Sequence, residues 1–266
     1  MIDVIIPSYN DYRILNTINS IKYYESKHSI SFFTLIIIDG GSELNLLFKI
    51  RNIISQNDFL LTEKDKGIFD ALNKGLDVSV NKFIWWLGSD DLLNVNIPVN
   101  IFNFLSTYSQ HDCYNFKTCY FNSNRITRSS SIYNYSNIHY KLGIDLSHFS
   151  TIWKKSFIAG NRFNLKYNNS SDLDFFYTLI VENKAKIKNF NYTLTFMSEG
   201  GKTSKNLKAR LINYFEICKI YKLKYNKYLF VIPVLLRIIF KLSTTLKWNI
   251  TPIDKKDFIG MKKYIH

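Results

Sequence analysis

Residues 82–91 read KFIWWLGSDD, an apolar run that ends in two adjacent aspartates. A short continuous apolar run is typical of a strand that is buried on both faces of a parallel sheet. Polar residues that directly follow such a strand belong to the loop at its carboxyl end. The stretch therefore predicts a buried strand that places Asp90 and Asp91 at one edge of a sheet.

The first hundred residues alternate short apolar runs with longer amphipathic stretches. Short runs rich in β-branched and aromatic residues predict strands, and apolar residues recurring every three or four positions predict helices. Their alternation predicts an α/β fold in which helices cover both faces of a parallel sheet. The predicted strands are 2–7, 32–38, 59–62 and 82–87, and the predicted helices are 13–24, 44–54 and 67–78.

Polar residues follow each predicted strand. The four loops read SYN at 8–10, DGGS at 39–42, EKDKG at 63–67 and SDD at 89–91. The carboxyl ends of parallel strands meet at one edge of the sheet, and ligands of open α/β folds bind outside that edge. One loop of this composition is compatible with an ordinary surface turn, whereas four in succession predict a shared binding site.

Composition limits the classes of protein to which the chain can belong. Of its 266 residues, 46% are hydrophobic and 21% are charged, which predicts a folded chain with a large core. The three cysteines, Cys113, Cys119 and Cys218, lack zinc-ligand spacing and are few, as in proteins of reducing compartments. No basic segment precedes the first apolar run, so we expect no secretory signal and a cytoplasmic location.

Positive charge is concentrated in the last quarter of the chain. Residues 205–266 hold 14 Lys and Arg against 3 acidic residues, which accounts for 11 of the 14 net positive charges. We therefore expect a main domain over 1–204 and a basic helical tail over 205–266. The most apolar segment of the tail, YLFVIPVLLRIIF at 228–240, has 13 residues, whereas a membrane span needs about 20. Two interpretations stay open: a peripheral helix at the inner face of an anionic membrane, or a helical hairpin packed on the domain.

The common phosphate-binding motifs of nucleotide enzymes are missing from the sequence. No G-x-G-x-x-G follows the first predicted strand, and the chain has no G-x-x-x-x-G-K-[ST] loop. A nucleotide diphosphate would therefore need another partner, and a divalent cation held by aspartates suits this role. Mg²⁺ and Mn²⁺ prefer oxygen ligands, commonly one or two carboxylates together with substrate phosphates.

The order and spacing of four stretches resemble those of the inverting family 2 glycosyltransferases with a GT-A fold, above all the bacterial branch that makes capsule, O-antigen and exopolysaccharide. The stretches are VIIPSYN (4–10), IIIDGGS (36–42), EKDKGIFDALNKG (63–75) and WWLGSDD (85–91). The resemblance implies a nucleotide-binding half over 1–110 and an acceptor-binding half over 111–204. It also implies transfer of a sugar, with inversion, from a nucleotide-diphosphate sugar, most often a UDP-sugar, to a hydroxyl of a saccharide or lipid-linked saccharide.

The resemblance also assigns residues to the sugar donor. Pro7 and Tyr9 would contact the nucleotide base, and Asp39 would accept a hydrogen bond from uracil N3–H. The segment that completes the base and phosphate pocket contributes Asp65, Lys66 and Asn73.

The resemblance also implies a metal site, and the sequence departs from the family pattern at Gly88, Leu72 and Ser171. Asp90 would bind the cation, Mn²⁺ or Mg²⁺, together with the donor phosphates, and Asp91 would be a second ligand, direct or through water. The first acid of the family's D-x-D pattern aligns with Gly88. Many relatives have an arginine at the position of Leu72, for which a nearby lysine would substitute. Ser171 stands where the family has a glutamate next to its general base.

On the acceptor side, NNSSDLDFFYTL at 168–179 resembles the segment that supplies the general base. Asp172 would take the proton of the acceptor hydroxyl, with Asp174 as the alternative. Serines followed by acids also make an ordinary helix N-terminus, so that interpretation stays open. His148 matches a family histidine on the acceptor side, although a lone histidine is often structural. GGKT at 200–203 resembles a turn that approaches the ligand, or is simply a turn.

Two other functions remain compatible with the sequence. A nucleotidyltransferase also uses metal-bound aspartates on an α/β sheet, but it would release pyrophosphate, and PSYNDYR (7–13) matches its phosphate loop poorly. A catalytically silent relative would bind a membrane or nucleic acid through the basic tail and would leave the strand-end acids unexplained. For the transferase itself no nucleic-acid partner is expected.

Overall fold

The fold is built on one mixed β-sheet, and the computed structural model describes residues 1–107, 110–122, 126–130, 134–199 and 207–247. Its strands are β1 (Ile2–Ser8), β2 (Phe33–Asp39), β3 (Phe59–Thr62), β4 (Phe83–Trp86), β5 (Leu92–Leu93), β6 (Cys113–Phe121), β7 (Ile126–Ser129), β8 (Thr151–Lys154) and β9 (Ile187–Ser198). In the sheet they lie in the order β3-β2-β1-β4-β8-β6-β9-β5, and β7 pairs with β6.

The first four strands form the parallel half of the sheet. β1 pairs in parallel with β2 and β4, and β2 pairs in parallel with β3. The predicted α/β architecture is confirmed here, with strand ends that differ from the prediction by a residue or two. The second half is different, because β8 runs antiparallel to both β4 and β6, β5 runs antiparallel to β9, and β6 and β9 are parallel.

Helices cover the sheet on both faces. They are α1 (Ile14–His28), α2 (Leu44–Ile53), α3 (Ile68–Val78), α4 (Asn100–Thr107), α5 (Asn137–Lys141), α6 (Lys155–Ile158), α7 (Ser171–Tyr177), α8 (Leu207–Lys224) and α9 (Val231–Lys247). A 3₁₀ turn at His148–Ser150 precedes β8, and a π-helical turn at Thr178–Glu182 continues α7.

The adjacent tryptophans of β4 show why the strand is apolar at every position. Neighbouring side chains of a strand point to opposite faces of a sheet, and both faces are covered here. Trp86 packs edge-on against Phe175 and Phe176, with ring centroids 5.9 and 5.6 Å apart. Trp85 belongs to the core of the other face, 6.0 Å from the ring of Phe33. The apolar run is therefore a strand buried between two helical layers.

The helices of the tail pack on this domain. Ile217, Tyr221 and Val234 belong to the same hydrophobic core as Trp86. α9 approaches Gly143 so closely that a β-carbon there would lie 2.2 Å from a backbone carbonyl oxygen of α9. Of the helices described, none combines the length and the apolar character that crossing a bilayer requires. The turn expected at 200–203 lies outside the described residues, as do parts of the tail.

Candidate functional site

The loops after β1, β2 and β3 leave the sheet side by side. Ser8 of β1 pairs with Asp39 of β2, and Asp39 pairs with Thr62 of β3. Beyond these pairs, the Gly40 N–H donates to the Ser8 carbonyl oxygen (2.8 Å) and the Glu63 N–H donates to the Asp39 carbonyl oxygen (2.9 Å). The three loops therefore stand together at the carboxyl edge of the parallel half.

Tyr9 and Asp65 both lie against Gly40. A β-carbon at Gly40 would lie 2.7 Å from Asp65 Oδ2 and 3.4 Å from Tyr9 Cδ2, so both side chains approach this glycine closely. The Tyr9 side chain is 65% exposed, whereas Pro7 is buried in β1 beside Ile38 of β2. The structure thus brings Tyr9, the loop after β2 and Asp65 together as one open wall.

Asp39 is buried at the end of β2 and holds the loop that follows it. Its Oδ2 accepts the N–H groups of Gly41 (3.0 Å) and Ser42 (2.8 Å), and Ser42 Oγ donates to its Oδ1 (2.5 Å). Ser42 Oγ also accepts the Asn10 N–H at 2.7 Å, which joins this loop to the one after β1. A carboxylate accepts about four hydrogen bonds, so the predicted contact with uracil would need the remaining site and stays a prediction.

Lys66 lies just before α3, and Asn73 lies within it. Lys66 is exposed, and its backbone N–H donates to Asp70 Oδ2 at 3.0 Å. The Asn73 amide pairs with the backbone of Phe163: Nδ2 donates to the carbonyl oxygen at 2.9 Å, and Oδ1 accepts the N–H at 2.8 Å. The amide thus fastens α3 to a distant loop, and a contact of Asn73 with the donor stays a prediction.

Asp91 is buried and closes the turn after β4. Its Oδ2 accepts the Gly88 N–H (3.3 Å), and its Oδ1 accepts the Ser198 N–H at the end of β9 (3.2 Å). Burial, together with the neighbouring Asp90 charge, raises the pKa of Asp91 well above its ordinary value. A β-carbon at Gly88 would lie 2.6 Å from Asp91 Oδ2. Gly88 therefore leaves room for the Asp91 carboxylate, which folds back toward it.

Asp90 is the carboxylate of this turn that a cation can reach. Its side chain is 26% exposed, and its Oδ2 accepts a hydrogen bond from Arg13 Nη1 at 2.9 Å. Burial raises the pKa of Asp90, and the Arg13 charge opposes this shift. Across the described ranges, no three His, Cys, Asp or Glu side chains are grouped as a metal cage. The residues present fit a cation held by Asp90 and the phosphates of a bound donor, as Mg²⁺ often is.

A cavity of about 420 Å³ lies between the second half of the sheet and helices α7 to α9. Its wall includes Asp172 and His148, and both tail helices contribute to it. Asp174 lies outside this wall, where Lys224 Nζ is 3.5 Å from its Oδ1 and Asn164 Nδ2 donates to its Oδ2 at 3.4 Å. Of the two carboxylates predicted as a base, Asp172 is the one that faces the cavity.

His148 and Asp172 are neighbours in the cavity wall. The distance from His148 Nδ1 to Asp172 Oδ2 is 3.6 Å, which is longer than a hydrogen bond. The imidazole stacks on Phe176 with ring centroids 5.7 Å apart. Burial lowers the pKa of His148, and the Asp172 charge opposes this shift. The lowered pKa favours a neutral imidazole, which leaves Asp172 free of a strong ion pair.

The end of β9 joins the two parts of the site. The Ser198 N–H is bonded to Asp91, and the residue before it, Met197, lines the cavity. Burial raises the pKa of Tyr120, another residue of the cavity wall, and the Asp91 charge adds to this shift. The turn that holds Asp91 and the cavity with Asp172 therefore adjoin at the end of β9, whereas Asp39, Asp65 and Asp90 do not line the cavity.

Glu216 of α8 organises the start of α7, a role that the sequence analysis did not identify. Its Oε1 accepts the Asn168 N–H, and its Oε2 accepts the N–H groups of Asn169 and Ser170, each at 2.9 Å. One carboxylate thus satisfies three consecutive donors that precede the helix. The signal in the sequence is that Glu216 is the one acidic residue between positions 205 and 253.

Arg237 of α9 forms a second link between the tail and the cavity. Its Nη1 donates to Asp145 Oδ1, and both residues line the cavity. Although burial acts to lower it, the Asp145 charge raises the pKa of Arg237 above its ordinary value. The tail therefore supplies part of the cavity wall.

Comparison with known proteins identifies the family of this chain. A family model described as glycosyl transferase family 2 matches residues 3–191. The chain belongs to this family. Among its relatives, PGL/p-HBAD biosynthesis glycosyltransferases of Mycobacterium bovis and Mycobacterium tuberculosis are 33% identical over 98 residues, which is 35% of this chain and 36% of each relative. The match thus spans about a third of these curated relatives.

Solved structures of S. aureus TarS share the fold. TarS 1-349 in complex with UDP-GlcNAc has a TM-score of 0.63 and 16% identity, over 99% of this chain and 80% of that one. The complex with UDP has a TM-score of 0.60 and 16% identity, over 83% of this chain and 64% of that one. The predicted GT-A fold is confirmed.

Proposed function

We propose that this protein transfers a sugar from a nucleoside-diphosphate sugar, with UDP-sugars as first candidates, to a hydroxyl of a saccharide or lipid-linked saccharide. The observation that carries the proposal is the shared strand end: Asp91 is bonded to Ser198, and the adjoining cavity exposes Asp172. Family membership and the TarS complexes with UDP and UDP-GlcNAc support a nucleotide-sugar donor. Synthesis of a bacterial surface polysaccharide is the process that we propose for it.

The chemistry is a single displacement with inversion. Asp172 takes the proton of the acceptor hydroxyl, whose oxygen forms a bond to the anomeric carbon while the bond to the nucleoside diphosphate breaks. The leaving diphosphate keeps the electron pair of that bond. A divalent cation held by Asp90, when bound, stabilises this negative charge. His148 lies beside Asp172, and its neutral imidazole is suited to hold the acceptor by a hydrogen bond without placing a positive charge next to it.

Donor screening and product analysis test this function. UDP-, GDP- and dTDP-sugars are compared by thermal shift with and without Mn²⁺, because a ligand of the native state raises its stability. We expect sugars of one nucleotide class to bind. We also expect slow hydrolysis of the bound nucleotide-sugar by water, with release of the nucleoside diphosphate. Asp90→Ala should abolish this hydrolysis, whereas Asp77→Ala, on an exposed ion pair with Arg162, should not. Release of pyrophosphate would indicate a nucleotidyltransferase instead.

We further propose that α9 contacts an anionic membrane surface that carries the acceptor. Val231, Leu235 and Ile239 are exposed and recur every four residues, so they form one apolar stripe on the outer face of the helix. The positive charge of 205–266 complements anionic lipid headgroups. An exposed apolar stripe with basic residues nearby is the pattern of an interfacial helix.

Flotation with liposomes tests this surface. A variant with serine at Val231, Leu235 and Ile239 should lose flotation with phosphatidylglycerol vesicles, and the wild type should not float with phosphatidylcholine alone. The matched control places serine at Leu44 and Phe48, which are exposed apolar residues of α2, and should still float. Equal flotation of both variants would exclude α9 as the contact. Circular dichroism confirms that each variant is folded.

A further inference from the structure

Arg13 bridges the loops that follow β1 and β4. Its Nε and Nη2 donate to the two carboxylate oxygens of Asp11, at 2.8 and 2.7 Å. Its Nη1 donates to Asp90 Oδ2 at 2.9 Å. One guanidinium thus holds together the acid that follows the first strand and the acid that a cation can reach.

The two partners of Arg13 are held very differently. Asp11 is fixed in place, because Ser89 Oγ donates to its Oδ2 at 3.0 Å and the Arg13 N–H donates to its Oδ1 at 3.1 Å. Thr17 Oγ1 in turn donates to the Ser89 carbonyl oxygen at 2.9 Å, which anchors that loop on α1. Asp90, by contrast, is bonded to Arg13 through a single N–H. The guanidinium is therefore anchored at its Nε–Nη2 edge, and Nη1 is the end that can change partners.

Exposure allows such a change without repacking the core. The Arg13 side chain is 60% exposed, so a new partner can approach Nη1 from solvent without displacing neighbouring side chains. Asp90 Oδ2, the oxygen that Arg13 occupies, belongs to the carboxylate that also fits a cation. Arg13 and a cation thus compete for one carboxylate.

We propose that Arg13 is a ligand of the donor diphosphate that occupies Asp90 until the donor arrives. The inference rests on the proposed function. A cation that enters with the donor takes Asp90, and the released Nη1 donates to a phosphate oxygen, for which the planar guanidinium is well suited. Arg13 then supplies the positive charge that the family resemblance leads us to expect at Leu72, which is a buried core residue here.

Binding measurements with Arg13→Gln and a matched control test the proposal. Arg162→Gln removes another exposed arginine that pairs with an aspartate, Asp77, at 2.7 Å. Calorimetry gives the Kd of the nucleoside diphosphate that the wild type binds best, and NMR titration gives the Kd of the corresponding nucleoside. Electron paramagnetic resonance gives the Kd of Mn²⁺ alone.

The expected result separates phosphate binding from folding of the loop. Arg13→Gln should weaken binding of the nucleoside diphosphate about tenfold or more, which is the usual cost of one charged hydrogen bond. The Kd of the nucleoside should stay unchanged. The Arg13→Gln variant should also bind Mn²⁺ more tightly than the wild type, because the Arg13 guanidinium no longer competes with the cation for Asp90. Arg162→Gln should match the wild type in all three measurements, and Arg13→Lys should recover part of the lost affinity.

Other outcomes overturn the inference. If Arg13→Gln weakened binding of the nucleoside and of the nucleoside diphosphate equally, Arg13 would only shape the loop in which it lies. An unchanged Kd for the nucleoside diphosphate, or unchanged or weaker Mn²⁺ binding, would exclude the exchange of partners while leaving the transferase proposal intact. Failure of the wild type to bind any nucleoside diphosphate would refute both.

Discussion

Replacing Glu216 should loosen the segment that presents Asp172 to the cavity. In the structure, one carboxylate of α8 accepts three backbone N–H groups at 2.9 Å. A net contribution of roughly 1 kcal/mol for each bond at a half-buried site gives about 3 kcal/mol for Glu216→Ala. Glu216→Gln should cost about 1 kcal/mol, since its amide oxygen can keep the two donors that now share Oε2 and only the Asn168 N–H loses its acceptor.

Urea denaturation of the two variants measures these losses. The control is Glu182→Gln, an exposed carboxylate that pairs with Lys224 at 3.1 Å, for which we expect less than about 1 kcal/mol. Because Asp172 lies in the first turn of the helix that Glu216 supports, transfer to an acceptor should fall more than donor hydrolysis by water. Equal stability losses in the two Glu216 variants, or equal losses of transfer and hydrolysis, would refute the reasoning.

Three further perturbations test the acceptor side. Asp172→Asn should lower transfer by about a hundredfold or more with nucleotide binding unchanged, whereas Asp174→Asn, outside the cavity wall, should retain transfer; the reverse order in a transfer assay would move the base. Gly143→Ala should destabilise the protein by at least ~2 kcal/mol in urea, because φ is +86° and the β-carbon meets backbone, and Gly160→Ala, with φ of +83° and open space, should cost less. Because the pKa of His148 is lowered in the folded protein, the unfolded chain takes up a proton first as the pH falls through about 6.5. The Tm of the wild type should therefore fall more steeply from pH 7 to 5 than the Tm of His148→Gln. Parallel Tm curves of the two proteins would contradict this.

The parallel half of the sheet is readable from the sequence because its signals are local. The apolar run that ends at Asp90 and Asp91 follows from the burial of both faces of β4, and Trp85 and Trp86 occupy those two faces. The loops that carry acids after these strands lie along one edge of the sheet because parallel strands end there. The hydrogen-bond partners of each acid could not be predicted in this way. Asp91, for example, turns back and accepts the N–H groups of Gly88 and Ser198.

The contacts that connect the second half of the sheet and the tail could not be predicted, because they join residues distant in sequence and have no periodic signature. The pairing of Asn73 with Phe163 spans 90 residues, and an amide on a helix gives no sign of such a partner. The same holds for Glu216, which reads as one acid among many lysines, and for the pairing of Arg237 with Asp145.

The cavity wall that α8 and α9 contribute lies beyond residue 191, where the family match ends. The strand-end acids, by contrast, all precede residue 92. On the proposed function, changes in this hairpin would alter the acceptor that is used and would leave the loops proposed to bind the sugar donor unchanged. Chimeras that exchange only the C-terminal helices between related chains are a direct way to reprogram such an enzyme.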